Sequence, residues 1–372
     1  MKDVLFFIGT MNLGGTEAKL TRSLLPLLKE RKNINPKLLL LKNEGKFFDI
    51  IPSDIEKYCI KETDKTNLFN ILPRFIKTVS EIKPDVIVSC MWYAAIISYL
   101  SSKLVRKKFT HIVHDTTNMT EYIKFEFGKE KYQRNKIYLI KKAYRSAEKI
   151  IVVSHGEKDD LVTNFGIPER LIKVIYNPIN IDKIRKMSNE EVDIKKDKPI
   201  IITVGRLIYS KGHDILLNAF KKVREKIDCK LFIVGEGNER GNLETLRDQL
   251  KLKEDICFLG FQHNPFKFMK YADLFCIATR YEGLCNSIIE AMVLGLPVIA
   301  TDCKSGPSET LDHGKYGILV PAENSDALAS EIIKVLTNTK LRENLSMLSL
   351  KRAEYYNYDK LLPEWERILL RR

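Results

Sequence analysis

The chain of 372 residues has no apolar run that approaches the 18 residues needed to span a bilayer. It enters a predicted strand at residues 4–8 without a charged region or cleavage site before it, so we expect no signal peptide. None of its seven cysteines form a C-x2-C pair, and most lie in predicted apolar strands. We therefore interpret them as buried, reduced thiols of a cytoplasmic protein.

Sequence patterns for metals and nicotinamide cofactors are also missing. No two aspartates form a D-x-D motif, and His111 and His114 lie three apart on a predicted strand. Residues at that spacing point to opposite faces, which makes them a poor zinc pair. Gly14 and Gly15 do not belong to a G-x-G-x-x-G motif, so a nicotinamide dinucleotide site is not supported. We expect a protein that needs neither a metal nor a bound cofactor.

Positive charge is in excess and is unevenly distributed. The chain has 62 Lys and Arg against 48 Asp and Glu, a net charge of +14. Residues 1–180 hold 31 of the cations and 20 of the acids, so +11 of the excess lies there. Such a surface could meet nucleic acid, an anionic membrane or a lipid diphosphate, or it could simply be solvated. Because no helix-turn-helix, zinc-finger or aromatic RNA-binding motif is present, we do not favour nucleic acid.

Predicted strands alternate with helical stretches, which favours an α/β protein with parallel sheets. A chain of this length suits two domains, 1–180 and 181–357, with a linker predicted around residues 177–180 and the polar run 186–198. An amphipathic helix is predicted near the end. The predicted strands are 4–9, 37–41, 86–90, 112–114 and 150–154, then 200–204, 230–234, 256–259, 274–278, 298–301 and 318–319.

Residues 282–291 are the most informative segment. Glu282 and Glu290 are separated by seven residues, with a predicted strand before them and another after them. We place Glu282 on a loop and Glu290 about two turns into a helix. The backbone N–H groups of residues 284–287 then form a helix N-terminus, where phosphate is favoured. A carboxylate on each side of such a pocket suits a phosphorylated polyol, whose hydroxyls the acids would bind.

Two cations occupy a comparable place after another predicted strand. Arg206 and Lys211 follow the C-terminal end of strand 200–204, where open α/β sheets bind their ligands. Arginine can hold phosphate oxygens in a bidentate fork, and lysine adds a point charge. Gly205 before them and Gly212 after them favour phosphate binding over two solvated loop cations. Gly14 and Gly15 similarly follow the first strand, where they permit close approach to a ligand or form a plain turn.

Together these segments resemble the retaining glycosyltransferases of family 4, which carry an E-x7-E signature and have the GT-B fold. The resemblance rests on five segments in the family's order and covers nearly the whole chain, more strongly in the second half. It implies two Rossmann-like parallel-sheet domains that face a cleft, with the final helix, about 358–372, packed back on the first. The segments are 14–17, 204–207 with 211–212, 234–237, 282–290 and 305–309.

The resemblance also implies a role for each candidate residue. Arg206 and Lys211 would neutralise the leaving nucleoside diphosphate, Glu282 would contact the sugar, and Glu290 would contact the ribose. His114 would line the sugar pocket, although a structural role is equally compatible with a histidine at a strand end. Arg206, Lys211, Glu282 and His114 form the expected catalytic set. The other expected donor-binding positions are Gly14, Gly15, Gly205, Gly235, Phe261, Gly283, Leu284, Cys285, Asn286 and Ser287.

We therefore expect a hexosyltransferase that uses a nucleotide sugar, with UDP as the expected nucleotide. The segment 305–309 resembles that of enzymes that build capsule, O-antigen or lipid-linked oligosaccharides, so the expected acceptor is a glycan or a polyprenyl-diphosphate-linked glycan. The expected location is the cytoplasmic face of the cell membrane, as a peripheral protein. Two alternatives remain open: a GT-B sugar-nucleotide epimerase, which would need no acceptor, and a basic nucleic-acid-binding protein.

Overall fold

The computed structural model describes residues 1–12, 14–60, 68–127, 133–194 and 196–371. The chain forms two compact units. Unit 1 consists of Met1–Pro178 together with Tyr358–Arg372, and unit 2 consists of Ile179–Asn357. Among the described residues, no helix is both long and apolar enough to cross a bilayer.

Each unit is built on one parallel sheet. Counting described residues only, the sheet of unit 1 has seven strands in the order β3-β2-β1-β4-β5-β6-β7, and that of unit 2 has six in the order β10-β9-β8-β11-β12-β13. The predicted α/β class with two parallel sheets is confirmed. The strands are β1 (Lys2–Ile8), β2 (Ile34–Leu40), β3 (Glu56–Cys59), β4 (Val86–Cys90), β5 (Thr110–His114), β6 (Lys149–Val152), β7 (Ile172–Val174), β8 (Ile200–Val204), β9 (Lys230–Val234), β10 (Ile256–Gly260), β11 (Leu274–Ile277), β12 (Val298–Asp302) and β13 (Ile318–Pro321).

Helices connect the strands and cover the sheets. A π-helical turn, Leu20–Leu24, connects the first two helices. A short 3-10 turn, Tyr209–Lys211, precedes the helix that begins at His213. The helices are α1 (Gly15–Lys19), α2 (Leu25–Lys29), α3 (Leu68–Ile82), α4 (Trp92–Ser102), α5 (Met119–Tyr122), α6 (Gln133–Ser146), α7 (His155–Thr163), α8 (Ile181–Ser188), α9 (His213–Arg224), α10 (Arg240–Gln249), α11 (Phe266–Met269), α12 (Asn286–Val293), α13 (Pro307–Thr310), α14 (Ser325–Thr337), α15 (Thr339–Ala353) and α16 (Tyr358–Leu370).

The central strand of unit 1 is buried on both faces. Residues 4–8 of β1 are at most 2% exposed, which explains why this strand is a continuous apolar run rather than an alternating one. On one face Leu5 and Phe7 pack with residues of α3. On the other face Phe6 meets Trp365 of α16, with 6.4 Å between ring centroids. The helix α16 therefore completes the core of unit 1.

Unit 2 has the same plan. Leu216 and Phe220 of α9, with Leu328 and Ile332 of α14, pack on Ile201 of β8 and its neighbours in one buried cluster. The first three residues of the polar run 186–198 belong to α8, so the predicted linker is wrong there. The amphipathic pattern of α8, with buried Ile181 and Ile184, accounts for the difference.

The strand order places a crevice in each sheet. In unit 2 the chain runs outward from β8 to β10 and then returns to β11 on the other side of β8. The loops after β8 and β11 consequently leave the sheet in opposite directions, which opens a crevice at their carboxyl ends. In unit 1 the equivalent position lies between β1 and β4.

Candidate functional site

The crevice of unit 2 is formed by the loops that follow β8 and β11. Lys211 ends the 3-10 turn after β8, and Gly212 follows it with a φ of +61°. A Cβ atom on Gly212 would lie 2.0 Å from the carbonyl oxygen of Ala278. Glycine at this position therefore permits both the left-handed backbone and the close approach of the Lys211 loop to the end of β11.

Lys211 and Glu282 form an ion pair across the crevice, between Nζ and Oε1. Their side chains are 17% and 11% exposed. Burial alone would lower the pKa of Lys211, but the neighbouring Glu282 carboxylate and other groups outweigh it and raise the pKa. Lys211 is thus charged at neutral pH.

Thr279 joins the two loops behind this ion pair. Its Oγ1 lies 2.8 Å from the carbonyl oxygen of Ser210 and 3.1 Å from Oε1 of Glu282. The side chain is fully buried. Thr279 was not singled out from the sequence, because a threonine after an apolar strand carries no signal of its contacts.

The loop after β12 supports Glu282 from the other side. The Glu282 N–H donates to the carbonyl oxygen of Lys304 at 3.2 Å. Ser305 and Gly306 follow with φ angles of +59° and +87°. A Cβ on Gly306 would lie 3.0 Å from Cβ of Glu282 and 3.2 Å from the carbonyl oxygen of Gly283. Segment 305–309 thus packs on the segment that holds Glu282.

The helix after Glu282 begins at Asn286, with Cys285 as its N-cap. Leu284 and Cys285 are buried, while Asn286 and Ser287 are half-buried. Cys285 forms no side-chain cap, and its sulfur lies 3.3 Å from the Ser287 hydroxyl. Glu290 is the fifth residue of α12, so it lies just over one turn into the helix, and the predicted two turns are wrong.

Glu290 is half-buried. The difference in its helical position arises because α12 begins only at Asn286, so residues 283–285 do not form its first turn; Cys285 has extended backbone angles. Glu282 and Glu290 thus belong to separate elements, a loop and a helix.

Arg206 differs from Lys211 in its surroundings. Its side chain is exposed and forms no ion pair with the parts of the chain that the structure describes. It is near enough to Lys211 for its positive charge to oppose the protonation of that lysine. An unpaired guanidinium beside a paired ammonium leaves charge available for an anionic ligand.

The ends of β8, β9 and β10 are drawn together by close backbone approaches. The Gly205 N–H donates to the carbonyl oxygen of Val234 at 3.0 Å, and the Gly235 N–H donates to that of Gly260 at 2.8 Å. A Cβ on Gly235, whose φ is +147°, would lie 1.8 Å from the Gly205 carbonyl oxygen. Phe261, directly after Gly260 at the end of β10, is half-buried. Gly205, Gly235 and Phe261 therefore lie on neighbouring strand ends at one edge of the sheet.

The glycines of unit 1 lie at the start of the first helix. Gly14 is the N-cap of α1, and Gly15 is its first residue. A Cβ on Gly14 would lie 2.0 Å from Oε2 of Glu17, so this carboxylate folds back over the glycine. Leu13, immediately before them, lies outside the described residues.

His114 is fully buried at the end of β5. Its Nε2 lies 2.7 Å from Nζ of Lys19, and its ring is 5.2 Å from that of Trp365. Burial, with the Lys19 charge, holds the pKa of His114 well below its usual value, and burial lowers the pKa of Lys19 to about 7. The neutral ring can therefore accept from Lys19. In this conformation its surroundings are structural, and its contact with a donor sugar stays a prediction.

Two family descriptions match successive parts of the chain. "Glycosyltransferase Family 4" matches residues 32–183, and "Glycosyl transferases group 1" matches residues 185–350. The second match spans the segment that holds Arg206, Lys211, Glu282 and Glu290.

Individual proteins are similar over most or all of the chain. An uncharacterised glycosyltransferase of Methanocaldococcus jannaschii is 32% identical over 343 residues, which cover 81% of this chain and 84% of the relative. The N-acetylgalactosamine-N,N'-diacetylbacillosaminyl-diphospho-undecaprenol 4-alpha-N-acetylgalactosaminyltransferase of Campylobacter jejuni is 29% identical over 376 residues, covering 100% of both. The crystal structure of Anabaena HepE in complex with UDP has a TM-score of 0.77 at 20% identity, covering 99% of both chains.

Proposed function

The chain belongs to the GT-B glycosyltransferases of family 4, and we propose that it transfers a hexose or N-acetylhexosamine from a UDP-linked donor with retention of configuration at the sugar. The proposed acceptor is a glycan or a polyprenyl-diphosphate-linked glycan of bacterial surface polysaccharide synthesis. The observation that carries the proposal is the Lys211–Glu282 ion pair in the crevice between β8 and β11, with exposed Arg206 beside it.

Lys211 and Arg206 are proposed to neutralise the diphosphate as it leaves the sugar. The departing group gains negative charge in the transition state, so cations already in place stabilise that state more than the bound donor. When the donor binds, the Lys211 ammonium would pair with the phosphate instead of with Glu282. Glu282 would then accept hydrogen bonds from the sugar hydroxyls. Because these fixed positive charges would stabilise the diphosphate, as a divalent ion often does, we propose that transfer requires no metal.

The remaining parts of the donor are assigned by position. The N–H groups of residues 284–287 at the start of α12 would bind phosphate oxygens, and Glu290 would accept the ribose hydroxyls. Backbone groups near Gly235 and Phe261 would contact the base. In unit 1, Gly14 and Gly15 are proposed donor-binding positions, and His114 is a proposed contact of the donor sugar.

The acceptor proposal draws on the Campylobacter jejuni relative, whose name specifies a diphospho-undecaprenol-linked acceptor. UDP as the nucleotide draws on Anabaena HepE, which was crystallised with UDP. A polyprenyl carrier is held in a membrane, so the enzyme would work at the cytoplasmic membrane face. The basic excess of residues 1–180 is suited to an anionic lipid surface.

A panel of nucleotide sugars tests the proposal, scored by thermal shift and by sugar release with and without a polyprenyl-diphosphate-linked acceptor. We expect one UDP-sugar to stabilise the protein and to be consumed faster when the acceptor is present, giving a product with the donor's anomeric configuration by NMR. Conversion of the donor to an isomeric nucleotide sugar without acceptor would identify an epimerase instead. Stabilisation by random duplex DNA but by no nucleotide sugar would overturn the assignment.

A further inference from the structure

Arg280 also lies in the crevice, two residues before Glu282, yet all of its side-chain N–H donors are bound by other residues of the protein. Asp214 accepts from Nη1 at 2.9 Å and from Nη2 at 2.7 Å. Glu323 accepts from Nε at 2.6 Å and from Nη2 at 3.3 Å. The Tyr209 carbonyl oxygen accepts from Nη1 at 2.7 Å. A guanidinium has five N–H donors, so none is left for a phosphate.

The partners of Arg280 lie on both sides of Lys211. Tyr209 precedes Lys211, and its ring is stacked 4.0 Å below the guanidinium. The backbone N–H of Arg280 donates to the carbonyl oxygen of Ser210 at 2.8 Å. Asp214 follows Lys211, as the second residue of α9. The segment 209–214 is therefore held on the end of β11 at three of its residues.

The contacts of Arg280 are also strong ones. Its side chain is only 7% exposed, and the fork-to-fork geometry with Asp214 is the most specific that arginine forms with a carboxylate. Burial alone would raise the pKa of Asp214, but the hydrogen bonds and charge of Arg280 lower it, so the pair stays ionised. Arg206, by contrast, is exposed and has no ion pair within the described residues.

We infer that Arg280 is a positioning residue, which holds the segment 209–214 so that the Lys211 ammonium meets Glu282 and the diphosphate of the donor. The two arginines at the site then have different tasks: Arg206 binds the ligand, and Arg280 binds the loop that carries Lys211. This inference rests on the proposed function of Lys211. It predicts that loss of Arg280 acts on the donor only through Lys211.

A double-mutant cycle tests that dependence. Arg280→Gln, Lys211→Ala and the double variant are compared by calorimetry with UDP and by kcat/KM for transfer. We expect Arg280→Gln to weaken UDP binding about tenfold in the native background and by less than about twofold once Lys211 is absent. A general structural role of Arg280 would instead give equal losses in both backgrounds.

Arg224 provides a matched control on α9, the helix that carries Asp214. It is the last residue of α9, and it pairs with Asp228 at 2.8 Å and with Asp255 at 3.0 Å. Arg224→Gln should lower the melting temperature to a similar degree as Arg280→Gln but leave UDP affinity and turnover unchanged. Should Arg280→Gln fail to fold, Glu323→Gln weakens the same contact from its exposed end and is expected to show a smaller loss with the same dependence on Lys211.

The outcomes separate the two levels of the argument. If Lys211→Ala keeps native UDP affinity and rate, the proposed function fails. If Lys211→Ala weakens both but Arg280→Gln changes neither, or if the losses simply add, the positioning role alone is wrong. A cycle in which the Arg280 effect vanishes without Lys211 supports both.

Discussion

Lys19 and His114 share a hydrogen bond of 2.7 Å in the interior of unit 1, where neither is more than 4% exposed. Three other titratable groups raise the pKa of Lys19, but they offset the effect of burial only in part. They are Cys90, Glu157 and Glu17. A lysine and a histidine can be buried together here because burial lowers the pKa of both, so each loses its charge at a lower pH than it would in water. The free-energy cost of burying these two side chains therefore depends on pH.

The pKa of Lys19 predicts that unit 1 becomes more stable as the pH rises above 7. Burial lowers this pKa from 10.5 to about 7. Between these two values the unfolded chain binds more protons than the folded one, so the free energy of unfolding increases with pH. We expect a gain of about 2 kcal/mol between pH 7 and 9 that Lys19→Met lacks. His114, whose pKa is also lowered, acts in the same direction at lower pH.

Tryptophan fluorescence in urea is the appropriate measurement. Both tryptophans, Trp92 and Trp365, belong to unit 1, so their emission follows the unfolding of that unit alone. Lys32→Met, at an exposed position, is the control and should keep the native slope. Parallel curves for the native protein and Lys19→Met would show that Lys19 is charged in the folded state.

Lys211→Ala and Arg206→Ala should each lower turnover by about a hundredfold or more. Each removes a positive charge that stabilises the departing diphosphate, and loss of one such preorganised contact costs about 3 kcal/mol. Steady-state kinetics with the preferred UDP-sugar is the measurement. Lys222→Ala, which breaks the ion pair with Asp326 on the same unit, serves as the control and should stay near the native rate. Native rates for both site variants would mean that the diphosphate binds elsewhere.

Turnover should survive EDTA. The positive charges of Arg206 and Lys211 and the N–H groups that open α12 are proposed to replace a divalent ion at the diphosphate. The rate of transfer is measured before and after exhaustive treatment with EDTA and after addition of Mg²⁺ or Mn²⁺. Full loss with recovery on metal addition would contradict the proposal, whereas mild stimulation by metal would agree with faster release of product.

Unit 1 should bind anionic liposomes through the loop between α4 and β5. Leu104 in this loop is 62% exposed and lies among four cations, one of which, Lys107, is already paired with Asp85 at 3.0 Å. Each cation near an anionic surface contributes about 1 kcal/mol, so reversing three should abolish co-sedimentation with vesicles that contain phosphatidylglycerol. The variants are Lys103→Glu, Arg106→Glu and Lys108→Glu together, with Lys226→Glu, Lys253→Glu and Lys340→Glu on unit 2 as the control.

Salt and lipid composition sharpen this experiment. Binding that is electrostatic weakens steeply between low and physiological ionic strength, because the screening length becomes shorter. Neutral vesicles should retain little protein. Equal sedimentation with neutral and anionic vesicles, or equal loss in both triple variants, would refute the role of this loop.

The sequence predicted the central strands of both sheets but missed two strands at the edges of unit 1. The central strands are continuous apolar runs because both faces are buried. Strand β3, at one edge, has no fully buried residue, and β7, at the other, has only three residues. Neither carries the hydrophobic pattern that identifies a strand, so their pairing depends on neighbours that the local sequence does not reveal.

The candidate site shows a similar limit. Gly205, Arg206, Lys211 and the segment from Glu282 to Glu290 could be identified, because glycines and charges at strand ends are typical of phosphate sites. The role of Arg280 was not identified, since it follows a strand end as Arg206 does and its sequence position does not distinguish the two. What distinguishes the two is the presence of Asp214 and Glu323, which are distant along the chain. Only the fold decides which arginine remains available to a ligand.

The last prediction concerns the two acids. Glu290 lies on α12, beyond the N–H groups proposed to bind phosphate, so Glu290→Gln should weaken binding of UDP and of the whole donor alike. Glu282 lies on the loop before those groups, so Glu282→Gln should cut transfer while UDP affinity stays nearly intact. One lost charge-assisted hydrogen bond is worth about 1.5–3 kcal/mol, or about ten- to a hundredfold in affinity. Calorimetry with UDP on both variants measures it, and a loss of UDP affinity confined to Glu282→Gln, or equal in both, would contradict this assignment of the ribose to Glu290 and the sugar to Glu282.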